Sequence, residues 1–388
     1  MSHAGRADTR DDVANDIGSL AQQAIRRLRA YDPGHDLIAL RRQFDDLIEL
    51  GANESPYGAS HLALAAARAA IEDVHRYPDP LGGDLKRALA EHFDLQTGQI
   101  ALGNGSHELL MLLGQVFTAP DAALACARHS FAVYALSAMA TGAPIQWADA
   151  NPRDHAMPCG HDLDALLAVI DASTRLVCLA NPNNPTGTWL TRDELRGFLS
   201  RVPAHVIVVI DEAYREYQDD PEAASAVGLI DEFPRLAVTG TFSKAHGLAG
   251  LRVGYLLAQP ALIGLIERLR ESFNVNSVAL AAAQAALADG AHVEQVRQGN
   301  AREREALAQG LRERGLFVFP SRTNFLLVAF GPHCAALEQR LVNCGVVLRP
   351  MGGYGLGDCL RITVGTADEN RLLLETLDVL LPQLAASP

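Results

Sequence analysis

The residue that first suggests chemistry is Lys244, one of two lysines in a 388-residue chain that has 33 lysines and arginines together. It lies in the stretch TFSKAHGLAGLRVGY at 241–255. A guanidinium stays protonated, whereas a lysine amine can lose its proton when it is buried or lies near other cations. The neutral amine can then act as a base or attack a carbonyl group. The alternative is that Lys244 has no special role and is a lysine that occurs by chance in an arginine-rich chain. The other lysine, Lys86, is expected to be a plain surface charge on a polar helix face.

Hydroxyls and an arginine lie close to this lysine in sequence. Thr241 and Ser243 precede Lys244 and Arg252 follows it, after the apolar run RLAVTGT. Hydroxyl groups and a guanidinium together suit a phosphate. The motif GNGSHELL at 103–110 follows the apolar QIAL and opens a helix, so its backbone N–H groups also suit a phosphate. An ordinary tight turn between a strand and a helix is the alternative for GNGSHELL.

Two further motifs place an amide and a carboxylate after apolar runs. NPNNPTG follows LVCLA, and its prolines and asparagines build a rigid turn that could aim Asn184 into a site or serve only the fold. DEAY follows HVIVVI, which puts Asp211 at the end of a very apolar strand. A buried carboxylate must be paired, and a cationic ring nitrogen would supply the pair. The alternative for Asp211 is a helix N-cap.

One small molecule would use all of these groups together. Its aldehyde would react with Lys244, its phosphate would bind among the hydroxyls and Arg252, and its pyridine nitrogen would pair with Asp211. That molecule is pyridoxal 5′-phosphate, which a protein positions and tunes electronically. The sequence therefore predicts a pyridoxal phosphate site, and it predicts no metal.

The elements that must position these groups follow an α/β pattern. Between about residues 50 and 270, short apolar runs alternate with helical segments. The clearest runs lie at 175–180, 205–211, 235–241 and 252–258. Strands that are apolar on both faces and alternate with helices indicate a mostly parallel sheet covered by helices on both faces, a three-layer arrangement. Ligands of such sheets bind at the carboxyl ends of the strands.

The chain divides into three predicted segments. Residues 1–50 form an N-terminal helical arm, with a helix at 13–30, that joins the small domain. Residues 51–290 form the large cofactor domain, and residues 291–388 form a smaller α+β domain. In this last segment a charged helix at 291–314 is followed by a final set of strands and helices. The strands are expected near 316–319, 324–329, 346–349 and 359–364.

Composition restricts the partners and the compartment. The formal net charge of −13 argues against a nucleic-acid partner. The six cysteines show no C-x-x-C pairing, which favours reduced thiols over disulfides or zinc. Aspartates in the first thirty residues argue against a signal peptide, and the longest uncharged stretch, 129–148, is interrupted by polar and helix-breaking residues. We expect a cytoplasmic protein that binds no membrane.

The order of the motifs resembles that of a known enzyme family. GNGSHE, NPNNPTG, DEAY, SKAHGLAGLRVGY and RPMGGYGLGDCLRITVG follow one another as in the fold-type-I pyridoxal-phosphate aminotransferases, most of all the histidinol-phosphate aminotransferase family. The resemblance extends over about nine-tenths of the chain, from YDPG to the final helix. It implies an enzyme that moves an amino group from a small-molecule amino donor to a 2-oxo acid acceptor.

The resemblance also implies roles for single residues. Lys244 would bind the cofactor covalently and move the proton of the substrate α-carbon, while Asp211 would pair with the protonated pyridine nitrogen. Tyr214 and Asn184 would hydrogen-bond the phenolic oxygen of the ring, and Asn184 would also line the substrate site. The implied phosphate contacts come from Ser106 and His107 through their backbone, and from Thr241, Ser243 and Arg252. Phe131 would stack on the cofactor.

Four more residues are implied to bind substrate or to complete the site. Tyr77, in RYPDP, would reach the cofactor phosphate of a neighbouring subunit, which implies a homodimer with shared active sites. Tyr57 would contact the substrate, and Arg361 would take an amino-acid carboxylate through a bidentate pair. Arg349 would be a second anion-binding arginine.

The substrate is left open between related activities. Histidinol phosphate with 2-oxoglutarate is the first expectation, and phenylalanine or tyrosine is the alternative donor. A pyridoxal-phosphate-dependent decarboxylase of the threonine-phosphate type is a further alternative, and a non-catalytic regulator would need a DNA-binding extension. Two residues depart from the family pattern: Ser55 stands where Asn is usual, and His246 where Tyr is common.

Overall fold

The computed structural model describes residues 17–28, 34–219 and 225–385. Besides helical residues at 17–20, the helices are α1 (Gln23–Arg27), α2 (Leu37–Gln43), α3 (His61–Ile71), α4 (Gly83–Phe93), α5 (Ser106–Phe117), α6 (Ala132–Thr141), α7 (Leu163–Ala168), α8 (Arg192–Leu199), α9 (Pro260–Ile266), α10 (Ser277–Ala288), α11 (Gly290–Glu313), α12 (Cys334–Asn343) and α13 (Ala367–Ala385). The strands are β1 (Ile48–Glu49), β2 (Ile100–Gly103), β3 (Ala123–Ala127), β4 (Ile145–Ala148), β5 (Thr174–Ala180), β6 (Ile207–Asp211), β7 (Leu236–Thr241), β8 (Gly254–Ala258), β9 (Phe317–Val318), β10 (Phe325–Ala329), β11 (Val346–Val347), β12 (Arg349–Pro350) and β13 (Cys359–Thr363). Short 3-10 helices lie at Thr97–Gln99, Arg215–Tyr217, Ala226–Leu229, Ala249–Leu251, Gly331–His333 and Gly352–Tyr354.

The larger sheet has seven strands in the order β2-β8-β7-β6-β5-β3-β4. Strands β7, β6, β5, β3 and β4 pair in parallel, and β8 runs antiparallel to both of its neighbours. The predicted mostly parallel sheet is confirmed, with β8 as its reversed strand.

Both faces of this sheet are buried, as the continuous apolar runs predict. In β5, Leu176 and Cys178 pack into a cluster with side chains of α5 and α6, whereas Val177 and Leu179 pack into a second cluster with side chains of α4 and α8. Successive side chains of a strand point to opposite faces, so an apolar run of this kind supplies two cores at once. Each fully buried Val or Leu contributes about 1.5–3 kcal/mol relative to leaving it exposed.

A second, antiparallel sheet of four strands has the order β12-β13-β10-β9. Its core joins residues far apart in sequence, including Leu50, Leu307 of α11, Leu337 of α12 and Leu373 of α13. The N-terminal strand β1 pairs in parallel with β11, so the chain before residue 51 contacts this part of the molecule. The predicted fold class, an α/β unit with a smaller α+β unit, is confirmed. The division at residues 50 and 290 stays a prediction.

Local details differ from the expectations in three places. The part of the predicted helix 13–30 that the structure describes is interrupted at 21–22, and its remaining residues lie outside the described ranges. The strand predicted at 346–349 splits into β11 and β12, because the first pairs with β1 and the second with β13. Lys86 was wrongly predicted to be a plain surface charge, because its side chain is only 13% exposed and forms an ion pair with Glu267 at 2.8 Å. None of the helices in the described ranges combines the length and the apolar composition that a membrane span requires.

Candidate active site

The polar motifs meet at one edge of the seven-stranded sheet. Strands β5, β6 and β7 run parallel, so their carboxyl ends lie at the same edge. Asp211 ends β6, Thr241 ends β7, and Lys244 follows shortly after. A cavity of about 190 Å³ lies there. Its lining residues are Ala52, Asn53, Ser106, His107, Phe131, Ala180, Asn184, Asp211, Ala213, Tyr214, Thr241, Ser243, Lys244, Arg252, Arg349, Tyr354 and Arg361.

The amine of Lys244 is held by backbone carbonyls. Its Nζ donates hydrogen bonds to the carbonyl oxygens of Asn53 at 3.1 Å and Ala52 at 3.3 Å, and it lies 5.8 Å from the centre of the Tyr214 ring. Burial, followed by the positive charge of Arg361, lowers the pKa of Lys244 from 10.5 to about 8. The amine therefore loses its proton much closer to neutral pH than an exposed lysine does.

Two hydroxyl groups orient the carboxylate of Asp211. Tyr134 donates its hydroxyl proton to Oδ2 at 2.9 Å, and Thr239 Oγ1 donates to Oδ1 at 3.0 Å. Burial raises the pKa of Asp211 above its usual value, and these two hydrogen bonds oppose the rise. A carboxylate that is buried and oriented in this way favours a cationic partner within the cavity.

The phenol of Tyr214 lies near the amine and is buried. Its hydroxyl oxygen accepts a hydrogen bond from Asn53 Nδ2 at 2.9 Å, and its ring packs edge-on against Phe325 with ring centres 5.1 Å apart. Burial raises the pKa of Tyr214 to about 12. The hydroxyl therefore keeps its proton at physiological pH and can donate it.

Hydroxyls and a guanidinium form one side of a candidate anion site. Thr241 Oγ1 donates to Ser243 Oγ at 3.0 Å and accepts from the Ser243 N–H at 3.1 Å. Arg252 Nη1 donates to the same Ser243 Oγ at 3.4 Å and to the carbonyl oxygen of Ala249 at 3.1 Å. These contacts collect two hydroxyls and a fixed positive charge within one short loop.

The start of helix α5 forms the other side of the anion site. The helix begins at Ser106, after Gly105, which has a φ of 82°. A Cβ at Gly105 would lie 2.5 Å from Arg252 Nη2, and a Cβ at Gly254 would lie 2.4 Å from the Ser106 nitrogen. The glycines thus allow the first turn of α5 to lie close to the Arg252 guanidinium. The first N–H groups of a helix have no partner within the helix. This is a favourable arrangement for a phosphate.

Two arginines of the four-stranded sheet face the same cavity. Arg361 lies in β13 and is buried; its Nη1 donates to Asn184 Oδ1 and its Nη2 to the carbonyl oxygen of Gly51, both at 2.7 Å. Arg349 lies opposite Arg361 in the β12–β13 register and is half-buried. The four-stranded sheet therefore adds two positive groups to the cavity, besides Arg252.

Phe131 and His107 complete the predicted residues that line the cavity. The Phe131 ring lies edge-on to Tyr134, with ring centres 5.9 Å apart. Burial, and next the charge of Arg252, lower the pKa of His107 below its usual value. A lowered pKa favours a neutral imidazole, so His107 adds no full positive charge to this turn.

Two of the predicted site residues lie outside the cavity. Tyr77 is 83% exposed and stacks on Phe273 with ring centres 4.7 Å apart. Tyr57 packs against the cluster that contains Tyr214 and Phe325, and its hydroxyl would lie 2.7 Å from a Cβ at Gly299. The structure describes one chain, so the predicted contact of Tyr77 with a neighbouring subunit stays a prediction, as does the substrate contact of Tyr57.

The two departures from the family pattern do not line the cavity. The ring of His246 is buried 4.8 Å from that of Phe242, and its Nε2 lies 3.9 Å from Glu216 Oε1. Burial lowers the pKa of His246 to about 4. Ser55 is half-buried beyond Asn53 in the same segment. Both replacements therefore lie behind the residues that face the cavity.

Four polar side chains of the site were not predicted from the sequence. Tyr134 lies one helical turn after Phe131 in HSFAVY, and Thr239 lies opposite Asp211 in the β6–β7 register. Asn53 is the first residue of NESPYG, and Tyr354 lies in MGGYG. Tyr134 and Thr239 could have been predicted from their spacing. Tyr134 lies three positions after Phe131 at the start of a helix, and Thr239 lies two positions before Thr241 in a strand. Each is therefore on the same side of its element as a predicted residue.

The donor set fits pyridoxal phosphate. The anion site of Thr241, Ser243 and Arg252 would hold its phosphate, and the Asp211 carboxylate would face its ring nitrogen. The Lys244 amine, with its lowered pKa, would meet the aldehyde. Close backbone approach at Gly105 and at the start of α5 provides room that a Cβ would fill.

Comparisons with known proteins agree with this geometry. The family model described as aminotransferase class I and II matches residues 45–377. A protein named histidinol-phosphate aminotransferase 2 from Pseudomonas fluorescens is 44% identical over 363 residues, covering 92% of this chain and 96% of that protein. A protein named histidinol-phosphate aminotransferase 1 from Dechloromonas aromatica is 44% identical over 367 residues, covering 93% and 99%.

Solved structures show the same architecture. The crystal structure of histidinol-phosphate aminotransferase from Sinorhizobium meliloti, in complex with pyridoxal 5′-phosphate, superposes with a TM-score of 0.86 at 30% identity and covers 94% of this chain and 98% of that one. An aspartate aminotransferase from Thermus thermophilus shares the fold, with a TM-score of 0.81 at 22% identity, covering 92% and 98%. On the family match and the extent of these relationships, the chain belongs to the class I and II aminotransferases.

Proposed function

We propose that this aminotransferase transfers the amino group of histidinol phosphate to 2-oxoglutarate in histidine biosynthesis, with pyridoxal phosphate as its cofactor. The observation that carries the proposal is the pair of arginines, Arg349 and Arg361, that lie opposite each other on β12 and β13 and line the cavity that holds Lys244. Relatives that bear the histidinol-phosphate aminotransferase name at 44% identity support the same substrate.

The residues around the proposed cofactor would have separate roles. When bound, pyridoxal phosphate supplies an aldehyde carbon and a protonated pyridine ring that withdraws electrons from the α-carbon of the amino substrate. Lys244 would hold this group and later accept the α-carbon proton, because its pKa of about 8 leaves an amine that can both take and return a proton. Asp211, oriented by Tyr134 and Thr239, would keep the ring nitrogen protonated.

Two donors would face the phenolic oxygen of the ring. Tyr214 has a hydroxyl proton to donate, because burial holds its pKa at about 12. The Oδ1 atom of Asn184 accepts from Arg361, which leaves Nδ2 of the same amide as the donor. The backbone N–H groups of Ser106 and His107, with the anion site described above, would hold the phosphate.

The two arginines suit two substrates of different shape. Histidinol phosphate has a phosphate and no carboxylate, whereas glutamate has two carboxylates, so one site must bind both in its two half-reactions. Arg361, fixed by Asn184 and Gly51, would take the α-carboxylate of glutamate. Arg349, with Tyr57, would take the distal phosphate of histidinol phosphate.

A homodimer in the cytoplasm completes the proposal. Tyr77 is exposed and lies away from the cavity of its own chain, which suits a contact with the cofactor phosphate of a second copy. Such an arrangement would place parts of each active site on two chains.

The first experiment tests the cofactor. Purified protein supplied with pyridoxal phosphate should absorb visible light, and borohydride should fix the cofactor to Lys244, as peptide mapping would show. A Lys86→Arg variant should still be labelled on Lys244, whereas Lys244→Ala should not be labelled. A label on Lys86, or a cofactor-loaded protein with none, would contradict the assignment.

The second experiment tests the substrate. A panel of amino donors with 2-oxoglutarate should give the highest specificity constant with histidinol phosphate, above phenylalanine and tyrosine. A clear preference for phenylalanine would indicate an aromatic aminotransferase instead. Release of carbon dioxide from a phosphorylated amino acid, without amino transfer, would indicate a decarboxylase.

A further inference from the structure

The segment before helix α3 connects the four-stranded sheet to the two central groups of the cavity. Asn53 is buried and has a φ of 56°, in the left-handed region. Its backbone N–H donates to Thr363 Oγ1 at 3.0 Å, and its carbonyl oxygen accepts from Asn324 Nδ2 at 3.1 Å. The same carbonyl oxygen accepts from Lys244 Nζ at 3.1 Å. One residue is thus anchored to Thr363 of β13 and to Asn324 while it contacts the lysine.

The hydrogen bonds of Thr363 determine which way the Asn53 amide points. Thr363 Oγ1 accepts from the Asn53 N–H and donates its own proton to Asn53 Oδ1, 3.3 Å away. The amide therefore turns its Nδ2 toward the Tyr214 hydroxyl oxygen, at 2.9 Å. With the amide in this orientation, the Thr363 hydroxyl and the Asn53 Nδ2 each have an acceptor within the chain of contacts.

The orientation has a consequence for Tyr214. Its oxygen accepts a hydrogen bond from Asn53, so its own proton is directed to a different acceptor, and Tyr214 lines the cavity with Lys244 and Asn184. A hydrogen bond accepted by a phenol oxygen also strengthens the hydrogen bond that the same hydroxyl donates. The charged groups that act on Tyr214 in this position are Arg361, which lowers its pKa, and Asp211, which raises it.

We propose that Asn53 is a positioning residue that makes Tyr214 a hydrogen-bond donor to the cavity, through the chain Thr363–Asn53–Tyr214. The inference rests on the proposed function, because the acceptor of that proton is the phenolic oxygen of pyridoxal phosphate. The Asn53 side chain contacts Tyr214 and Thr363, so in this chain of contacts it acts on the cofactor through Tyr214. It acts by fixing the direction of one proton.

Asn53→Asp reverses this direction and is the central test. The carboxylate can only accept, so it accepts a hydrogen bond from the Tyr214 hydroxyl and turns that proton away from the cavity. Aspartate keeps the size of the side chain and tolerates the left-handed backbone. The readout is the pH titration of the visible absorption of the bound cofactor, whose phenolic oxygen loses a donor. We expect its apparent pKa to rise by about one pH unit or more, with a matching rise in Tyr214→Phe.

The new negative charge of Asn53→Asp has its own effect, which the double variant measures. In the Tyr214→Phe background, Asn53→Asp can act only through its charge, so its shift should be clearly smaller than in the unaltered chain. Equal shifts in the two backgrounds would overturn the inference. A protein without visible absorption after addition of pyridoxal phosphate would contradict the proposed function instead.

Thr363 provides a second test that leaves Asn53 in place. Thr363→Val keeps the shape and removes the hydroxyl that orients the amide, whereas Thr363→Ser keeps the hydroxyl. We expect Thr363→Val to raise the apparent pKa and to weaken the binding of pyridoxal phosphate to the cofactor-free protein, and Thr363→Ser to do neither. Identical titrations of the two variants would overturn the proposal, even if Asn53→Asp does not fold.

Discussion

The lowered pKa of Lys244 makes a prediction at the scale of single residues. A lowered pKa gives more neutral amine at any pH, so the rate at which the cofactor-free protein takes up pyridoxal phosphate should rise with pH through about 8. An ordinary lysine would require a pH near 10.4. Stopped-flow absorbance across this pH range is the measurement. Arg361→Gln should move the midpoint upward, because the charge of Arg361 is the second cause of the shift; a midpoint above about 10 in the unaltered chain would refute the assignment.

The two arginines of the cavity predict different substrate effects. Arg349→Ala should lower the specificity constant for histidinol phosphate about ten- to a hundredfold, because a charge-assisted contact with an anion is worth about 1.5–3 kcal/mol. Phenylalanine has no distal anion and should be affected far less. Arg349→Lys keeps the charge and loses the planar fork, so its specificity constant for histidinol phosphate should lie between those of the unaltered chain and Arg349→Ala. Equal losses for both donors would move the assignment toward an aromatic aminotransferase.

Replacement of Arg361 should lower activity more strongly than replacement of Arg349, and with more substrates. Its guanidinium holds both Asn184 and the backbone of Gly51, so Arg361→Ala would remove the proposed substrate anion contact and loosen the proposed cofactor contact of Asn184 together. Activity should therefore fall with every carboxylate-bearing substrate, by about a hundredfold or more. Steady-state kinetics with glutamate and phenylalanine, compared with Arg361→Lys, would test this. A loss confined to histidinol phosphate would be the contrary result.

At the scale of elements, the turn that begins α5 tests the proposed phosphate site. Gly105→Ala adds a Cβ 2.5 Å from Arg252 Nη2 at a residue with a φ of 82°, so the turn and the guanidinium must separate. With a ψ of 163° as well, Gly105 lies in a backbone region that is almost confined to glycine and that costs Ala about 1–3 kcal/mol. We expect the dissociation constant of pyridoxal phosphate to rise about tenfold or more, measured by fluorescence titration of cofactor-free protein.

Gly98→Ala is the matched control for this element. Gly98 lies in the 3-10 helix Thr97–Gln99, and a Cβ there would meet no atom within 4 Å. It should leave cofactor affinity and the unfolding temperature unchanged. If both variants bind pyridoxal phosphate as the unaltered chain does, the anion site does not depend on the Gly105 turn.

At the scale of the whole molecule, the exposed Tyr77 predicts complementation between chains. Lys244→Ala and Tyr77→Ala are each expected to be impaired alone. Co-expressed, they should form heterodimers in which one site has both residues intact, restoring about a quarter of the activity of the unaltered enzyme for random pairing. Size-exclusion chromatography with light scattering would report the assembly. A monomer that is active at the assay concentration would exclude shared sites.

The architecture and the principal groups of the site could be predicted because both depend on local pattern. Apolar runs buried on two faces indicate a covered sheet, and the ends of such strands locate Asp211 and Thr241. The reversal of β8 could not be predicted from this pattern, because a strand that is apolar on both faces has the same composition in either direction. The pairing of Lys86 with Glu267 was also missed, since it joins residues 181 positions apart.

The sequence by itself determined the chemical types present: one lysine beside hydroxyls, a carboxylate after an apolar strand, and two arginines near the C-terminus. The tertiary structure decided how these types interact. Arg361 reaches Asn184 across 177 positions, and Asn53 meets Thr363 across 310. The pKa of Lys244 depends on burial and on Arg361, neither of which is a property of its neighbours in sequence. Residue types follow from the chain, whereas desolvation and hydrogen-bond direction arise only when distant segments pack together.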